Sequence, residues 1–182
     1  MSQKKTNLLI ATSLILFAAI LKVVTYPNSF NPIIAISLFS GAIMTDKKMA
    51  FLLPLLAMLL SDVLLEVLHI APGFYGMGQI GNYAALLFVT VLGFFIKKIS
   101  ILNVLGFSIA SSFLFFLLSN TNVYLFDNFQ TYQKSFSGWM TCLAAGVPFL
   151  KNRIPTDLFF SVLLFGSYAL AFRSQLSKKI IA

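Results

Sequence analysis

Residues 139–150 read WMTCLAAGVPFL, a short apolar run between a polar loop and the basic stretch KNR at 151–153. Whether this run crosses a bilayer decides between six spanning helices and seven. A helix of that length rises about 18 Å, well short of a hydrocarbon core about 30 Å thick. Charge points the same way, because Lys and Arg collect on the cytoplasmic side of a membrane. With six crossings, Lys4, Lys5, Lys47, Lys48, Lys97, Lys98, Arg173, Lys178 and Lys179 share one side, against Lys22, Lys134, Lys151 and Arg153 on the other. With seven crossings the bias falls from nine against four to eight against five. The expectation is six crossings with both termini cytoplasmic, and 139–150 as an additional short segment before the last helix.

The bilayer itself is read from composition. Of 182 residues, 59% are hydrophobic and 10% charged, with a mean hydropathy of +0.92. Soluble domains carry about a quarter charged residues, and a chain this apolar would expose large sticky patches to water. The net charge of +8 does not indicate nucleic acid, since the cations sit in pairs between apolar segments instead of forming one face. A lone Cys142 leaves no intrachain disulfide and no cysteine-based metal site. Lys4 and Lys5 before Leu8–Val24 imitate a signal peptide, but the run is long and lacks a small-x-small site before Tyr26. It is expected to stay as a spanning helix, with Lys22 snorkelling to the headgroups.

The apolar segments fall at about 8–24, 32–45, 49–70, 82–97, 101–119 and 157–173, a single all-α transmembrane domain over 1–182. The second segment covers only about 20 Å as a helix. Either its leading loop YPNSFN (26–31) dips inward to line an outward-facing cavity, or a tight loop simply feeds a short tilted helix. Ser37 with Gly41 and Gly106 with Ala110 are small residues four apart, as are Gly81 and Ala85. That spacing lets helices approach closely in lipid, which makes these pairs candidate packing positions.

The chemistry concentrates in SDVLLEVLHI (61–70). Asp62, Glu66 and His69 share one face at 3.6 residues per turn. Two acids inside a bilayer cost about 5–7 kcal/mol on insertion scales, so this face must avoid lipid. It forms either an acidic, partly wet pocket for a cationic or amine-bearing solute, or a structural acceptor with Glu66 and His69 at headgroup level. Asn31, Gln79, Asn82, Tyr83, Asn120, Asn122 and Trp139 all fall at the same ends of the segments. Together they would offer amides and rings to a small heterocyclic solute, although Trp139 and Tyr124 equally suit interface anchoring. Thr156 and Asp157 after Pro155 read as a helix start. One His and one Cys hold no metal site, and no nucleophile-base pair, phosphate loop or nucleotide fingerprint appears, so neither an enzyme nor a cofactor is expected.

FNPIIAISLFSGA (30–42), AFLLPLLAMLLSDVLL (50–65), AAGVPFLKN (144–152) and DLFFSVLLFGSYAL (157–170) resemble a family of uncharacterised small bacterial membrane proteins. That family in turn resembles the substrate-binding S components of energy-coupling-factor (ECF) vitamin transporters. The resemblance implies six helices, an outward-facing micronutrient site and docking to a coupling subunit with two ATPases. It would carry ligand contacts onto Asp62 and Asn31. The chain departs from the S-component pattern on its first helix, where Ala11, Ala18 and Ala19 lack the four-residue spacing used for docking. Docking would then use another face, such as that of Ser37 and Gly41, or the protein would work without the energising module. The expected function is a solute-binding membrane transport subunit of the bacterial inner membrane. The alternatives are a non-enzymatic scaffold of the cell envelope, and a stand-alone proton-coupled carrier using Glu66 and His69.

Overall fold

The computed structural model describes residues 3–26, 30–127 and 130–171. Among them are six α-helices and no strand: α1 (Gln3–Val24), α2 (Ile33–Ile43), α3 (Lys47–Val67), α4 (Met77–Gly93), α5 (Ile101–Leu125) and α6 (Phe136–Ala171). The helices alternate in direction. The α2–α3 and α4–α5 connections lie at one end, the base, and the other three connections at the opposite end, the mouth. Arg173, Lys178, Lys179, the end of the expected 157–173 helix and Pro27 to Ser29 of the first loop fall outside the described residues.

α2 forms the centre. It touches α3, α4, α5 and α6, and every residue from Ile33 to Gly41 is buried. Eleven residues make a helix only about 16 Å long. Gly41 and Gly93 explain how α2 meets α4 so closely. A Cβ on Gly41 would lie 2.0 Å from the Thr90 carbonyl oxygen, and one on Gly93 would lie 2.3 Å from that of Leu38. Ser37 spends its hydroxyl on the Ile33 carbonyl of its own helix, 2.9 Å away. Lower down, Phe39 meets Phe165 edge-on with ring centres 5.2 Å apart. The Gly106 and Ala110 pair behaves differently from expectation. Both are exposed on α5, and a Cβ on Gly106 meets nothing within 4 Å. Among the described residues, then, this pair forms no close helix contact of the kind seen at Gly41.

Local chemistry sets the helix ends. Asp46 caps α3 by accepting from the Lys48 amide at 2.8 Å. At the far end the Ile70 amide donates to the Leu65 carbonyl and the His69 amide to that of Glu66. This is a Schellman closure with His69 in the left-handed position at φ 53. α3 therefore stops at Val67, and His69 does not continue the face that carries Asp62, contrary to the sequence expectation. α4 starts at Met77 instead of Asn82, and α5 runs on to Leu125 instead of stopping at Ser119.

The largest correction concerns 139–150. It is no separate segment, because one continuous helix covers 136–171 and absorbs the expected outer loop at 151–156. Ser135 accepts from the Gly138 amide through its hydroxyl at 3.1 Å and starts this helix. Thr156 and Asp157, expected to begin a helix, lie within it, and the Thr156 hydroxyl donates back to the Asn152 carbonyl at 3.2 Å. Pro148 and Pro155 lie inside. Each removes one backbone hydrogen bond and crowds the carbonyl four residues earlier, which bends a helix without ending it.

α6 accordingly changes direction. In its second half it runs antiparallel to α5, Asp157 opposite Ser112 and Ser161 opposite Ser108. In its first third Trp139, Cys142 and Gly146 all meet a single turn of α5, at Thr121 and Asn120. Helices lying side by side exchange partners residue by residue, so this part of α6 crosses α5 steeply. The two prolines stand seven apart, on one side of the helix.

Candidate functional site

Asp62 holds three side-chain partners in the mouth half. It is buried on α3, and its Oδ1 lies 2.5 Å from the Lys22 ammonium. Its Oδ2 accepts from Gln79 Nε2 and from the Tyr83 hydroxyl, each at 2.8 Å. Lys22 had been expected to reach outward to headgroups. It turns inward instead, passing Met58 Sδ at 3.3 Å, because a buried carboxylate without a counter-charge costs several kcal/mol. The pair joins α1 to α3, and the Gln79 and Tyr83 bonds add α4.

A second ion pair lies across α2. Arg153 Nε is 3.2 Å from Asp157 Oδ1, one helical turn away on α6. The Asp157 Oδ2 accepts from the Ser112 hydroxyl of α5 at 2.9 Å. Arg153 Nη2 also donates to Asn31 Oδ1 at 3.2 Å, which brings the residue that leads into α2 onto the same guanidinium. Two acids and two bases thus sit buried or half-buried around the start of the central short helix and cancel in charge. Sequence reasoning did not assign Lys22, Arg153 or Asp157 to this network. The i,i+4 spacing of Arg153 and Asp157 was the available signal.

An open hollow lies apart from these two networks. A hollow of about 540 Å³ lies at the mouth between the first turns of α4, the end of α5 and the loop after it. Tyr75, Asn82, Asn122, Phe126, Asp127 and Tyr132 line it. Asn82 Nδ2 donates to the Tyr75 hydroxyl at 2.9 Å, and Asn122 Nδ2 to the Gly78 carbonyl at 2.7 Å. Asp127 turns its two oxygens to Thr131 Oγ1 and the Tyr132 amide. Burial pushes the Tyr75 phenol above its ordinary pKa, so it stays a neutral donor and acceptor. The lining offers amide oxygens, three aromatic rings and one carboxylate, with no Lys, Arg or His among the described lining residues.

The sequence candidates therefore divide among several places. Asp62 and Tyr83 share one network, Asn31 belongs to the Arg153 network, and Asn82 lines the hollow. Asn120 and Trp139 sit where α6 crosses α5, the Trp139 indole donating to Thr121 Oγ1 at 3.0 Å. Glu66 and His69 are exposed, with Glu66 Oε2 accepting from the Gly73 amide at 2.7 Å. Of the three candidates Asp62, Asn31 and Asn82, the hollow takes Asn82 into its lining and not the other two. Among the described residues no group of His, Cys, Asp and Glu could hold a metal ion.

The family model of DUF6580, a family of unknown function, matches residues 2–179. The chain belongs to that family. No curated protein and no solved structure matches this DUF6580 chain.

Proposed function

We propose that this DUF6580 protein is a six-pass protein of the bacterial inner membrane that binds a small polar, ring-bearing solute at its mouth. In this reading it is a non-enzymatic transport subunit, similar in role to ECF S components. The hollow beside Asn82 carries the proposal, because it joins aromatic walls to a few polar groups in the manner of small-ligand sites.

Membrane placement is supported by α3 and α5, both long and apolar enough to cross a bilayer, and by the shorter apolar stretches of α1, α2 and α4. The exposed surface agrees, with Phe88, Phe95, Leu102 and Leu170 among the large apolar side chains facing outward. Lys47, Lys48, Lys97 and Lys98 are all exposed at the base. At the mouth, Lys22 and Arg153 are neutralised by carboxylates. Among the described cations left without a carboxylate, these four at the base outnumber Lys134 and Lys151 at the mouth, an asymmetry that supports a cytoplasmic base. Ser37 and Gly41 are consumed inside the bundle, so a coupling subunit with its two ATPases would dock on another face.

The test is ligand-induced thermal stabilisation of the purified protein against a panel of micronutrient-like heterocycles and amines, repeated with Asn82→Leu. A compound that raises the melting temperature of the parent and not of the variant supports the proposal. A panel without any stabilising compound overturns it. Co-purification of an ATPase pair with its membrane subunit would support the ECF assignment, and its absence from native-membrane pull-downs would favour a stand-alone carrier.

A further inference from the structure

From its steep crossing of α5 we infer that the leading part of α6, from Phe136 to Leu150, lies along the boundary between lipid headgroups and acyl chains on the mouth side. The inference rests on the membrane placement proposed above.

Three observations lead there. The first is depth. Trp139, Cys142 and Gly146 share one turn of α5 around Asn120 and Thr121, and Thr121 stands about 30 Å along α5 from Ile101 at 1.5 Å per residue. That is about one hydrocarbon thickness, so this part of α6 advances across the mouth with almost no change of depth. The second is exposure. Phe136, Met140, Val147 and Phe149 are 73%, 47%, 38% and 74% exposed. No other part of the described chain covers them, and this much apolar surface is costly in water. The third is the flanking chemistry. Exposed Lys134 precedes the segment and exposed Lys151 follows it, placing a cation near phosphate level at each end. The Trp139 ring packs on Phe136 at 5.8 Å between centroids, and aromatic residues of this kind gather at bilayer interfaces. An apolar surface with an aromatic pair and terminal cations is what interfacial helices present to a lipid surface.

The experiment uses the full chain in vesicles of phosphatidylcholine and phosphatidylglycerol, with a spin label placed singly at Phe136, Met140 or Val147. The native thiol is removed by Cys142→Ser. Should that variant fail to fold, the parent serves, because its Cys142 is buried. A label at exposed Phe113 on α5, about 18 Å above the helix start at 1.5 Å per residue, reports the bilayer interior. The expected result is one common depth for the three α6 labels, about 5–10 Å below the phosphates, with the Phe113 label deep. If depth instead changes by about 1.5 Å per residue through the bilayer centre, or if the three labels sit in bulk water while Phe113 is deep, the inference is overturned and membrane placement stands. A Phe113 label outside lipid overturns both.

Discussion

Lys22 and Asp62 meet at 2.5 Å across forty positions of sequence, the last turn of α1 reaching the acid of α3. The residue that looked most like an open acidic ligand is thus neutralised by the chain itself. Tyr83 and Gln79 occupy its other oxygen and tie it to α4.

Breaking this pair from either side should be costly. Lys22→Met or Asp62→Asn leaves a half-buried or buried group without its counter-charge and is expected to cost about 3–5 kcal/mol. The double replacement Lys22→Met with Asp62→Leu should recover most of that loss. Chemical or thermal unfolding in detergent micelles, read as a double-mutant cycle, checks both statements. Independent, additive losses would argue against the pair.

His69 holds a left-handed backbone at φ 53 in the closure of α3. Glycine adopts that conformation without the Cβ clash, so His69→Gly should raise stability by about 1 kcal/mol. The side chain is exposed and outside the Asp62 network, so solute binding should not change. A destabilised variant would show that the imidazole matters more than the backbone.

The two kinds of glycine should separate cleanly. Gly41→Ala drives a methyl into the Thr90 carbonyl and should cost about 2 kcal/mol or more, as overpacking does. Gly106→Ala meets open space and should gain up to about 1 kcal/mol from helix propensity. Comparing the two melting temperatures tests the close α2–α4 approach directly.

Ser111 is buried on α5 and its hydroxyl has no hydrogen-bond partner among the described residues. An unmet buried hydroxyl costs about 1–3 kcal/mol. Ser111→Ala should therefore be neutral or stabilising, whereas Ser112→Ala, which strips a donor from Asp157, should destabilise. Equal effects at the two neighbours would contradict the bonding pattern.

The apolar segments were legible because hydropathy is a local property that survives without tertiary knowledge. Much of the rest depended on partners distant in sequence. Pro155 read as a boundary because proline disfavours helix locally, yet α6 carries it through as a bend. Lys22 read as a snorkelling cation because its nearest sequence neighbours are apolar, and only the fold delivers Asp62 to it. His69 was projected onto the Asp62 face by continuing a helix that ends two residues earlier. Asn82 and Asn122 line open space, while Tyr75, Asp127 and Tyr132 of the same hollow come from connections whose paths no periodicity encodes. Glycine spacing was informative where a partner helix follows it, at Gly41, and silent where none does, at Gly106.

The enclosure of α2 on every side also bears on biogenesis. Eleven residues span about half a hydrocarbon core, too little to partition from a translocon independently. In a bilayer, this piece would enter as a hairpin with α3, its polar leader waiting for Arg153 until the sixth helix is synthesised. Nascent chains arrested before that point would lack the guanidinium that bonds Asn31 at the entry to α2.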